Sequence, residues 1–156
     1  MEKTTVTFRI LTPLAIAALA LGATACGGDD KLSKEEFAKK AEAICKEYEN
    51  KVEAVDKPQN AQDADDAAQY LDEVTPIVEE GVAKLKDLEP PEDLKSDWDD
   101  YIESSEQGTK LLKESAEKAN ANDPSGLQDL QQLEAITAKG NAAAKKVGAT
   151  GCADSS

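Results

Sequence analysis

The chain has 156 residues, with 18 Lys and Arg against 32 Asp and Glu, a formal net charge of −14, and no His. This balance excludes the clustered cationic surface that a phosphate backbone requires, so nucleic acid is not an expected partner. It also disfavours lying flat on anionic lipid, and the length suits one domain.

Lys3 and Arg9 precede an apolar run from Ile10 to Leu21, which is followed by Gly22, Ala23, Thr24 and Ala25 and then by Cys26. Basic, apolar and small segments in that order make an export signal. The run is shorter than the about 20 apolar residues of a membrane span, so residues 1–25 are expected to be cleaved. Ala23-Thr24-Ala25-Cys26 resembles the lipobox of bacterial lipoproteins, which implies that the Cys26 thiol is joined to a diacylglycerol, with palmitate-type chains, and becomes the new N-terminus. Ala23-x-Ala25 also suits ordinary signal peptidase cleavage, which would leave a soluble secreted protein with Cys26 at its tip.

Three cysteines, Cys26, Cys45 and Cys152, leave an odd thiol in an oxidising compartment. Acylating Cys26 removes the odd one and leaves a pair. Gly27 to Lys31 read as a flexible tether, about six residues with an r.m.s. reach of ~13 Å. Residues 26–32 are therefore the lipidated cysteine and tether, and residues 33–156 the folded domain. Losing Glu2, Lys3 and Arg9 with the leader leaves 16 Lys against 31 acids, a net charge of −15.

The domain reads as helices. Ser33-Lys34-Glu35-Glu36 fits a capping box. An apolar stripe follows at Phe37, Ala41, Ile44, Tyr48, Val52 and Val55, spacings of three and four, and Lys57-Pro58 ends it. A second helix begins near Ala61 to Asp65, with Asp63, Asp65 and Asp66 at its positive end. Its stripe is Leu71, Val74, Val78, Val82, Leu85 and Leu88; Pro76 predicts a kink or short break near Thr75, and Gly81 weakens the helix further.

Glu89-Pro90-Pro91-Glu92-Asp93 is the clearest boundary, with Pro91 suited to the first turn of a third helix. That helix carries Leu94, Trp98, Tyr101, Ser105, Gly108, Leu112, Ser115 and Ala119. Asn120 to Pro124 stop it and start a fourth, with Asp123 as N-cap and Pro124 first in the helix. The fourth runs to about Val147, and its second half is made of small residues that predict close approach to a neighbour. The fold expected is all-α, an up-down-up-down four-helix bundle after a cleaved signal peptide.

In such a bundle the end of the fourth helix lies near the start of the first, and Gly148 to Gly151 can fold back toward Cys45. A Cys45–Cys152 disulfide would close a loop of about 100 residues and contribute ~4–5 kcal/mol on the chain-entropy model.

The chemistry is sparse. Without His, triads that use it are excluded. Ser115-Ala116-Glu117-Lys118 spells S-x-x-K, but the rest of that enzyme signature is missing. The acidic groups Asp63, Asp65, Asp66 and Asp97, Asp99, Asp100 lack the Gly and closing Glu of a calcium loop and read as solvated helix surface. No catalytic residue, metal site or cofactor is expected. Trp98, Tyr101, Tyr48 and Phe37 either pack the core or line an apolar slot between helices.

Phe37-x-x-x-Ala41-x-x-x-Cys45, Leu88-x-Pro90-Pro91-x-x-Leu94-x-x-x-Trp98-x-x-Tyr101, Asn122-Asp123-Pro124-x-x-Leu127 and Gly148-x-x-x-Cys152 span the domain. On these residues the chain is similar to small helical lipoproteins and secreted proteins of actinobacterial type. Their function is unknown, so the resemblance implies a fold and no active-site residue.

The expectation is a non-enzymatic lipoprotein of the cell envelope, anchored through Cys26 at the extracytoplasmic face of the cell membrane. A helix face would meet another envelope protein or cell-wall component. The alternative is a sensor of a small ligand or divalent cation, using the slot near Trp98 and Tyr101.

Overall fold

Ser33 starts the first helix as a cap: its hydroxyl accepts the Glu36 amide at 3.3 Å, and the Glu36 carboxylate accepts the Ser33 amide at 3.0 Å. Two orphan donors are satisfied at once. The computed structural model describes residues 32–60 and 63–153. The expected leader, Cys26 and the tether up to Lys31 lie outside the described residues.

Four helices follow in order: α1 (Lys34–Glu53), α2 (Ala64–Lys86), α3 (Lys95–Asn120) and α4 (Ser125–Lys146). Among the described residues there is no strand, and no helix is long and apolar enough to cross a membrane. α3 packs between α2 and α4, while α1 lies on α2. α1 and α4 scarcely meet along their lengths; the chain after α4 joins them.

Helix ends obey local chemistry. Asp63 caps α2, accepting the amides of Asp65 and Asp66 at 3.0 and 3.3 Å. A 3₁₀ turn, Glu92–Leu94, leads from Pro91 into α3. Asp123 accepts the Ser125 amide at 2.9 Å, but α4 begins at Ser125, so Pro124 and not Asp123 holds the N-cap position and the expected order is shifted by one residue. Asn122 and Gly148 hold the positive φ values, 56° and 81°, that end α3 and α4. At each, the amide of the following residue reaches back to a carbonyl of the last turn: Asp123 to Lys118 at 2.9 Å and Ala149 to Ala144 at 3.0 Å.

Two further expectations need correction. Of the kink or short break expected near Thr75, the break does not occur, for α2 is continuous through Pro76. Pro76 and Asp72 are both exposed, so solvent can serve the Asp72 carbonyl that proline leaves without a donor. α1 also stops earlier than its stripe, at Glu53, and Val55 sits in a turn where its amide reaches the Val52 carbonyl at 3.1 Å.

The core gathers at the end of the bundle where α1 starts and α4 finishes. Phe37 (0% exposed) meets Trp98 (2%) edge to face at 4.8 Å, and Trp98 lies 5.1 Å from Tyr101. Leu85, Leu94, Ala143, Ala144 and Val147 close around them. The small residues late in α4 allow the expected close approach: a Cβ on Gly140 would stand 3.4 Å from Ser104 Cβ.

Beyond Gly148 the chain turns back along α1. Glu42 accepts the Gly151 amide at 2.9 Å and the Thr150 hydroxyl at 3.1 Å, and Ala149, Cys152 and Ala153 are buried. Cys45 and Cys152 are thereby brought to disulfide distance, with Cα atoms 5.2 Å apart.

Candidate functional site

Past Tyr101, away from this core, the inner helix faces stop filling the space between them. Gly81 on α2, Gly108 on α3 and Gly140 on α4 border one cavity, and beside them stand Ser104, Ser105 and Thr109. The space in front of each glycine is taken by a neighbour, Tyr48, Leu133 or Ser104. Between them a cavity of about 460 Å³ remains, within the size range of small-molecule sites.

All four helices contribute. Val52, Val78, Val82, Leu85, Leu112 and Ile136 form the apolar walls. Apart from Leu85 these are only half-buried, although they lie on the inward stripes. The disulfide sulfurs and Tyr101 close the cavity at its core end, with the Tyr101 hydroxyl 3.6 Å from Cys45 Sγ. Burial pushes the Tyr101 phenol above its ordinary value. Toward the other end stand Glu49, Glu53 and Lys57, the last two exposed.

The polar wall of α3 has a particular chemistry. Ser104 donates to the Asp100 carbonyl at 2.9 Å, Ser105 to the Tyr101 carbonyl at 2.9 Å, and Thr109 to the Ser105 carbonyl at 2.8 Å. Each hydroxyl proton is engaged by its own helix, which leaves oxygen lone pairs as acceptors.

Tyr48 forms the α1 side. Its ring lies over the backbone of Gly81, its hydroxyl donates to Glu80 Oε1 at 2.7 Å, and Lys51 Nζ sits 3.9 Å from the ring centroid. The Glu80 hydrogen bond raises the Tyr48 phenol's pKa.

The four aromatic residues singled out in the sequence thus divide. Tyr48 and Tyr101 line the cavity, together with Cys45 and Cys152. Phe37 and Trp98 do not, because they are consumed by the closed core one step further along the bundle. The cavity therefore lies beside Tyr101 and Tyr48, away from Trp98 and Phe37.

Four of the six acids in the two acidic groups have other partners. Asp63 caps α2, Asp66 accepts the Asn60 amide at 3.2 Å, Asp97 pairs with Lys146 at 2.9 Å, and Asp99 pairs with Lys95 at 3.1 Å. Among the described residues no three Cys, Asp or Glu side chains converge to hold a metal ion. Ser115 of the S-x-x-K string is 0% exposed and lies away from the cavity lining. Comparison of the chain with protein-family models, with curated proteins and with solved structures finds no match.

Proposed function

We propose that this chain is an exported, non-enzymatic lipoprotein of the cell envelope, anchored through Cys26, whose helical domain holds a small ligand with an apolar body in the interhelical cavity. The observation that carries the ligand is the open cavity of about 460 Å³ between all four helices, apolar on most sides and edged by hydroxyls. It favours the ligand-binding alternative over docking through a helix face. It does not favour a divalent cation, because among the described residues no three acids or thiols converge to hold one. The anchor rests on the sequence Ala23-Thr24-Ala25-Cys26 and on the pairing of the other two thiols.

The ligand is tested by thermal unfolding of the intact mature protein against a panel of apolar small molecules. A bound compound at 100 times its Kd stabilises the native state by about 2.7 kcal/mol, a shift easily read. A flat response across the panel rejects the ligand role. The anchor is tested separately. Membrane-extracted protein should carry a diacylglyceryl mass on Cys26, and Cys26→Ser should release the domain into the medium; unacylated protein in the culture fluid rejects it.

A further inference from the structure

We infer that the cavity selects a single-chain amphiphile whose polar end donates hydrogen bonds, an alkyl amine or alcohol, and discriminates against the matching carboxylate. This rests on the ligand-binding role proposed above and adds the chemical class of the ligand.

The apolar requirement comes from Val52, Val78, Val82, Leu112 and Ile136, half-buried side chains that water reaches and an alkyl chain would cover. The preference for the polar end comes from the wall opposite. Ser104 and Thr109 give their protons to carbonyls of α3 and so face the cavity as acceptors, while Ser105, bonded to the Tyr101 carbonyl, also meets the Tyr101 phenol. An amine or hydroxyl finds partners there. A carboxylate, itself an acceptor only, meets lone pairs with lone pairs on that wall and must find its donors elsewhere.

Charge works in the same direction. The rim carries Glu49 and Glu53 against Lys57, on a chain whose net charge is −14. The resulting negative potential draws a cationic head and repels an anionic one. Thr137 and Asn141 on the α4 side both donate and accept, so they serve either head and do not reverse the preference.

The test is calorimetric titration of the intact, oxidised mature protein with dodecylamine, dodecanol and dodecanoate, each below its aggregation concentration and at physiological salt. The amine and the alcohol should bind stoichiometrically, and dodecanoate should bind weaker by about tenfold or more. Ser105→Leu, which fills the cavity from α3, and Thr137→Leu, which fills it from α4, should each abolish binding. Two positions are used because a misfolded variant at one leaves the other informative, and circular dichroism identifies the folded one. Ser105→Ala combined with Thr109→Val should narrow the gap between amine and carboxylate.

Equal affinity for all three probes overturns the head-group preference while leaving the cavity as a ligand site. Absence of binding by any of the three, with other apolar compounds still shifting the melting temperature, overturns the amphiphile class alone. Amine binding that survives both leucine variants marks association with the acidic surface, and overturns the inference.

Discussion

The ring of Tyr48 lies so close to Gly81 that a Cβ on Gly81 would stand 2.9 Å from the ring's Cγ. Glycine at this point of α2 is therefore a packing requirement of α1. In an unconstrained helix interior alanine is favoured over glycine by about 0.8–1.0 kcal/mol. Here the clash reverses the sign.

Gly81→Ala should destabilise the domain by about 1–2 kcal/mol, because overpacking costs more than helix propensity returns. Gly108→Ala makes the opposite case, since its Cβ would meet Leu133 Cδ1 at an ordinary 3.5 Å. It should stabilise by about 0.5–1 kcal/mol. Urea denaturation of both variants checks the pair, and a stabilised Gly81→Ala would mean that Tyr48 does not rest on α2.

The double variant Cys45→Ala, Cys152→Ala should lose ~4–5 kcal/mol on the chain-entropy model, given the sequence separation of 107 residues. The loss should concentrate where the tail joins α1 to α4, so amides of residues 149–153 should exchange fastest in hydrogen-exchange measurements. Glu42, which accepts from Thr150 and Gly151, would then be the main polar hold on the tail. Unchanged exchange there would mean that packing of Ala149 and Ala153 alone secures the tail.

Ser115 is 0% exposed, and its hydroxyl finds no hydrogen-bond partner among the described residues. Ser115→Ala removes a desolvated polar group and inserts the best helix former, so it should raise stability by about 1 kcal/mol. A chemical-denaturation midpoint that falls would instead reveal a partner for that hydroxyl.

The pH profile of stability should have two limbs of opposite sign. Hydrogen bonds from the Ser33 hydroxyl and amide hold the Glu36 carboxyl below its ordinary value, and the Ser125 amide does the same for Asp123. Groups depressed in the folded state stabilise above their unfolded pKa, and that stability is lost as pH falls through the lowered folded value. Tyr101, raised by burial, and Tyr48, raised by its bond to Glu80, act oppositely. Their contribution is full below the unfolded phenol value and is lost as pH rises through the raised one. Urea midpoints across pH should trace both limbs, with Ser33→Ala flattening the acid one. Phenolate absorbance should rise at higher pH in folded than in urea-unfolded protein; coincident curves would contradict the burial of Tyr101.

Most of the helical framework was legible from residues that act on near neighbours. The capping box at Ser33, the acids at Asp63, the Pro91 boundary and the turn at Asn122 each decide a helix end within a few positions. The stripes named which side of each helix turns inward, and the chain order with short connections implied the bundle. The return of the tail toward Cys45 followed from that topology. Pro76 does not break α2, because whether a proline interrupts a helix depends on whether solvent reaches the freed carbonyl, which local sequence does not say.

The amino-acid order by itself determined where helices start, stop and turn their apolar sides, since those choices are made by contacts within one or two turns. Only the tertiary structure decided that Gly81, Gly108 and Gly140 border one space, that Tyr48 and Tyr101 border it too, and that Phe37 and Trp98 belong to the closed core beside it. A stripe records direction around a helix axis but not the level at which three other helices arrive. Whether a volume is filled or left open depends on all four at once.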